Sequence, residues 1–148
     1  MPKNMQKSMV LSSSRYFLDS NIILRFLLKD HPTLSPKAKL VFDKISDTGI
    51  FVLVSTLVLH EVVYLLEKFY KLHRSAVYYK VNKILDFDNL DVIDLEKEAT
   101  AKALLDYKNT RVDFPDCIYK QIVLENDMKL LSFDEEFKKI KIERFEEV

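Results

Sequence analysis

Four carboxylates, Asp19, Glu61, Asp116 and Asp134, stand far apart in this chain of 148 residues, yet they occupy comparable places. Asp19 directly follows a short strand expected over residues 15–18. Glu61 lies on the helix after a strand expected over 50–54. Asp134 comes three residues past a strand expected over 129–131. Asp116 begins a helix with no obvious strand before it. In a parallel α/β sheet these segments share one rim, and ligands bind there. Acids gathered on such a rim raise one another's pKa or recruit cations. Carboxylate oxygens suit Mg²⁺ or Mn²⁺. An ion so held activates water and neutralises charge developing on a phosphodiester.

Each acid also has a plainer reading. Asp19, or Ser20 beside it, can cap a helix. Asp113 and Asp116 form an Asp-x-x-Asp pair at a helix start where Pro115 suits the first turn, and Asp113 reads as the N-cap. Ser132, Phe133, Asp134 and Glu135 resemble a capping box, with Ser132 capping and Glu135 reaching back. Asp134 is then a first-turn acid that favours the helix dipole. Glu61 is flanked one turn away by Leu57, Val58, Tyr64 and Leu65, so it interrupts an apolar stripe. A carboxylate buried there needs a cation or hydrogen bonds.

The elements that must position these acids follow from hydropathy and breakers. Residues 22–28 read as a helix, ended by Pro32 and Pro36. Ser35 is the expected cap of a helix running to about residue 46. Asp47, Thr48 and Gly49 make a turn, and residues 50–54 are a continuous apolar run, the mark of a strand buried on both faces. Ser55 opens a helix through about residue 70, and residues 74–86 form another. Residues 90–93 are a strand, and Asp94 is the expected cap of a helix to about residue 107. A helix from Asp113 to near Asn126, a helical turn at 134–139 and an edge strand within 141–145 complete the pattern. Strands alternating with helices imply an α/β fold with a mostly parallel sheet.

Composition removes several function classes. Cys117 is the only cysteine, which excludes a disulfide framework and a cysteine zinc cluster and is compatible with a reducing cytoplasm. Gly49 is the only glycine, so no glycine-rich phosphate loop exists. The formal net charge is zero, which argues against a nonspecific coat on nucleic acid. The charge is nonetheless polarised: residues 1–80 hold 12 Lys/Arg and 6 Asp/Glu, and residues 81–148 hold 11 and 17. Residues 1–14 read as a disordered tail without signal-peptide character, residues 15–148 as one domain, and no stretch is long enough to span a membrane.

The motifs together resemble a family. Phe17-Leu18-Asp19-Ser20-Asn21-Ile22-Ile23 is similar to the opening motif of PIN-domain nucleases, and the continuation through Pro32 is similar to their VapC toxin branch. Residues 55–63, which hold Glu61, match the second acidic motif. Phe114-Pro115-Asp116-Cys117 stands where the third has an aspartate before a small residue. Leu131-Ser132-Phe133-Asp134 with Phe137 is close to the fourth. The resemblance spans about residues 16–145. Ser132 replaces a usual threonine, and Cys117 a usual alanine.

The resemblance implies a three-layer α/β/α fold with four or five strands. It implies metal binding by Asp19, Asp116 and Asp134, with Glu61 positioning water or a second ion. Asn21 and Ser132 would support them by hydrogen bonds. It further implies RNA as substrate, a VapB-type antitoxin as partner and a homodimer. An RNA-processing nuclease without antitoxin and a catalytically inactive binding module are the alternatives. A phosphoacceptor domain using Asp19 would want a second aspartate where Asn21 stands. Residues 68–80 interleave Lys68, Lys71, Arg74 and Lys80 with Phe69, Tyr70, Tyr78 and Tyr79. This strip reads as a solvated helix hairpin with core-facing aromatics, as an RNA contact, or as a groove for a second copy or an antitoxin. His31, His60 and His73 are isolated, and Cys117 reads as a small buried residue.

Overall fold

The computed structural model describes residues 15–147; the expected tail, residues 1–14, lies outside the described residues. Strands β1 (Arg15–Phe17), β2 (Phe51–Val54) and β3 (Leu90–Val92) form a parallel sheet in that order. Tyr16 pairs with Val52, and Val52 with Leu90. Strands β4 (Leu130–Leu131) and β5 (Arg144–Phe145) form a second parallel pair. Every pairing among the described residues is parallel, as the alternation of elements implies, but the five strands described group as three and two.

Parallel neighbours need crossovers, and helices supply them. Helices α1 (Ser20–Leu28) and α2 (Leu34–Asp47) connect β1 to β2. Helix α3 (Thr56–Tyr64), a π-helical turn at Leu65–Phe69 and α4 (Arg74–Leu85) connect β2 to β3. Helices α5 (Lys97–Asn109) and α6 (Phe114–Glu125) lead to β4, and a 3₁₀ segment at Glu135–Ile140 leads to β5. The α/β class is therefore as expected. No helix among the described residues is long and apolar enough to cross a membrane.

The core lies mainly on one face of the larger sheet, where Val52, Val54, Leu90 and Val92 are buried. The opposite face carries Phe51, Leu53 and Asp91, all half-buried. This corrects the expectation that residues 50–54 are buried on both faces: a face that includes Asp91 and the exposed Phe17 is covered less completely. Phe26 stacks on Phe42 at 4.0 Å between centroids, and Phe87 meets Phe42 at 5.1 Å, closing the core between α1, α2 and the chain after α4.

Two helix starts differ from expectation. Ser35 lies inside α2, and its hydroxyl accepts the N–H of His31 at 3.2 Å. His31 Nδ1 instead accepts the N–H groups of Thr33 and Leu34 at the mouth of the helix, at 3.2 and 3.0 Å. Asp94 does not cap α5 but reaches across to α3. Gly49 adopts a φ of +69° between α2 and β2, a left-handed conformation in which glycine has no side chain to strain.

Candidate active site

Asp19 is the N-cap of α1. Its backbone is extended, and its carboxylate accepts the Ser20 N–H at 2.8 Å. Leu18 before it is buried and donates its N–H to Leu53 O on β2, so the strand end is held while Asp19 itself is exposed. The capping reading of Asp19 is thus realised, and it leaves the carboxylate on the rim. Asn21 lies exposed in the first turn of α1.

Asp134 has the same local design. Ser132 Oγ accepts the Asp134 N–H at 3.0 Å, and the Asp134 carboxylate accepts the Glu136 N–H at 2.8 Å. The capping box expected from Ser132 and Glu135 does not form. The Ser132 N–H donates to Phe145 O across the β4–β5 pair, and Glu135 lies beside Lys138 and Arg144. The strand pairing has taken the donor that Glu135 would have satisfied.

Asp116 sits in the first turn of α6 and is partly buried. Asp113 occupies the N-cap position but makes no side-chain cap bond. Its carbonyl accepts the Asp116 and Cys117 N–H groups, and its carboxylate faces Arg74 at 3.2 Å. The expected capping carboxylate is therefore drawn away by a cation. Burial lifts the Asp116 carboxyl above its ordinary pKa, and the negative charges of Asp134, Asp113 and Glu136 lift it further. Those four acids come from two segments, Asp113 and Asp116 at the start of α6 and Asp134 and Glu136 at the start of the 3₁₀ segment, and the packing of α6 on that segment brings them into one field.

Glu61 behaves differently from the burial argument. It lies on the outer face of α3, between Leu57 and Tyr64, which are themselves 73% and 55% exposed. The inner face is Val58, Leu59, Val62 and Val63. Of the apolar neighbours that made Glu61 look buried, Leu57 and Tyr64 are surface residues and Val58 faces the core, so solvent hydrates this carboxylate.

Asp19 and Glu61 are not among the charges that shift Asp116. Among the described residues, no three His, Cys, Asp or Glu stand close enough to hold one ion. Asp19 rides on the three-stranded sheet and Asp134 on the two-stranded pair, and among the described residues no ladder joins the two. The charges that raise the Asp116 carboxyl are all carboxylates, and a hard divalent cation held by one or two of them would relieve their repulsion.

A set of residues overlooked in the sequence supports α6 from behind. Arg74 Nη1 donates to the carbonyls of Tyr107, Thr110 and Val112 at 3.1, 3.1 and 2.6 Å. Its Nε donates to Glu67 at 3.3 Å, and Glu67 also accepts the Tyr107 hydroxyl at 2.7 Å. No local signal marks Arg74 for this, since its carbonyl partners lie more than 30 residues away. The strip 68–80 accordingly divides: Arg74 turns inward, Tyr78 packs on the core, and Phe69 and Tyr79 remain exposed.

The model of the PIN domain matches residues 16–143, most of the chain and all four acids. This chain belongs to the PIN domain family. PIN domains are as a rule nucleases, hydrolases of phosphodiester bonds. Among solved structures, the chain is similar to VapBC2 from Rickettsia felis bound to a DNA fragment from their promoter, with 19% identity over 88% of this chain and 98% of that one, and a TM-score of 0.38. At that identity and score the likeness assigns neither activity nor partner to this PIN domain. No curated protein matches the chain significantly.

Proposed function

We propose that this PIN domain is a divalent-metal-dependent endoribonuclease and the VapC-like toxin of a toxin–antitoxin pair. The observation that carries the reading is the meeting of Asp116 and Asp134, 18 positions apart in sequence, in one acidic field inside a chain that matches the PIN family. Asp19, Asp116 and Asp134 would hold Mg²⁺ or Mn²⁺. Bound there, the ion supplies a Lewis acid that polarises the phosphate. Glu61 would orient the attacking water from α3. Ser132, already bonded to the Asp134 backbone, and Asn21 would keep the carboxylates in place. RNA is the proposed substrate, a VapB-type antitoxin the proposed partner, and a homodimer the proposed assembly.

The test is cleavage of a structured RNA by the purified chain with Mn²⁺ or Mg²⁺. Expected are cleavage that stops with a chelator and its loss in Asp19→Asn with the fold intact. Unchanged cleavage in that variant would overturn the assignment. One observation favours a second reading, a catalytically inactive PIN-like binding module: no three acids stand within reach of one ion among the described residues. RNA binding without cleavage at any Mn²⁺ concentration would select it.

A further inference from the structure

We infer that Arg74 is a positioning residue for the acidic site, acting through the segment 110–113 that sets the entry of α6. The inference rests on the proposed nuclease reading and adds a residue to it. Arg74 begins α4, which packs against α5, and its side chain is only 19% exposed. Its guanidinium lies 4.4 Å above the Tyr107 ring, and Tyr107 meets Phe114, the first residue of α6, edge-on at 6.0 Å. Arg74, Tyr107 and Phe114 thus form a continuous stack from α4 through α5 to α6.

The same guanidinium binds three successive parts of the connection. It holds the C-terminal carbonyl region of α5 at Tyr107 and Thr110, then Val112, then the Asp113 carboxylate. A planar five-donor fork can satisfy such a set together, and an ammonium cannot. Asp113 in turn receives the Asp116 and Cys117 N–H groups on its carbonyl. The position of the Asp116 carboxylate therefore follows from where Arg74 holds residues 110–113. Glu67 completes the clamp: the π-helical turn that carries it places its carboxylate on both Arg74 and Tyr107. Arg74 also sets a positive charge beside Asp113, which offsets one of the acids repelling Asp116. Partners that orient metal-binding side chains from outside change metal affinity about 10- to 100-fold when lost.

The experiment measures Mn²⁺ binding to the full chain directly, by the loss of the free-ion electron paramagnetic resonance signal, at a temperature well below melting. Arg74→Gln, Arg74→Lys and Asp116→Asn are compared with the wild type. A merely structural role for Arg74 would lower the melting temperature and leave the affinity of the folded protein unchanged. Expected is Mn²⁺ binding about 10-fold or more weaker in both Arg74 variants while they remain folded. On RNA, kcat at limiting Mn²⁺ falls while KM for RNA is retained, and excess Mn²⁺ recovers cleavage. If Arg74→Gln does not fold, Arg74→Lys carries the test. Wild-type affinity in the folded Arg74 variants, with binding lost in Asp116→Asn, would overturn the inference and leave the nuclease reading standing. Failure of the wild type itself to bind Mn²⁺ overturns the metal-site reading and the inference with it.

Discussion

Asp94, in the bend after β3, closes onto Thr56, the first residue of α3: its carboxylate accepts the Thr56 backbone N–H at 2.9 Å and the Thr56 hydroxyl at 2.7 Å. Ser55 Oγ adds a local cap by accepting the Val58 N–H at 3.1 Å. The helix that carries Glu61 is thus anchored at its start by the rim of the neighbouring strand. Asp94→Ala should cost about 1 kcal/mol, the usual value of a lost N-terminal cap. Urea denaturation followed by circular dichroism checks this, and no change in midpoint would mean that the Ser55 cap suffices.

Asp116→Asn should abolish RNA cleavage and stabilise the metal-free protein. The neutral amide removes one charge from a field made by Asp134, Asp113 and Glu136. Relief of such repulsion at a partly exposed site is small, about 0.5 kcal/mol, or about 1–2 °C in melting temperature for a chain of this size. Calorimetry in the presence of a chelator reads it. A lower melting temperature would show that the carboxylate is held by favourable bonds instead.

Glu67 predicts the acid limb of stability. Burial alone would raise its carboxyl, but the Tyr107 hydroxyl and the Arg74 charge outweigh burial and hold it below its ordinary value of 4.5. A carboxylate whose folded pKa is depressed contributes stability above its unfolded pKa, and the contribution is lost as pH falls through the folded value. Glu67→Gln should therefore be less stable than wild type at neutral pH, by about 1.5–3 kcal/mol for bonds to a charged group. The difference should shrink as pH falls below about 4.5. Parallel denaturation curves at several pH values decide it.

Cys117 should be inert in the native protein. It is fully buried on α6, and burial pushes its thiol up to about 12. The thiolate is the reactive form. A thiol reagent at pH 8 should label Cys117 only after denaturant is added, and rapid native labelling would show that α6 opens locally.

Phe42 should be costly to truncate. It is buried between Phe26 and Phe87, and Phe42→Ala removes both ring contacts and leaves a cavity. The expected loss is about 3–5 kcal/mol, read by equilibrium unfolding.

Much of this protein was legible along the chain. The β-branched run before Val54, the breakers Pro32 and Pro36, the Gly49 turn and the alternation of strand and helix give the parallel α/β class, because apolar periodicity and backbone sterics act locally. The cap at Asp19 was legible too, whereas at the 3₁₀ segment Asp134 itself took the capping place expected of Ser132.

The tertiary structure decided what those local signals could not. Whether Leu57 and Tyr64 bury Glu61 depends on which face of α3 meets the core, and periodicity alone gave the wrong face. Asp94 and Arg74 bond to partners far away in sequence, and nothing near them foretells it. Asp116 and Asp134 share a field only because α6 packs on the 3₁₀ segment. Residue type and local spacing determined which groups could do chemistry. Packing between distant elements, which sets distance and burial, determined which of them act on one another.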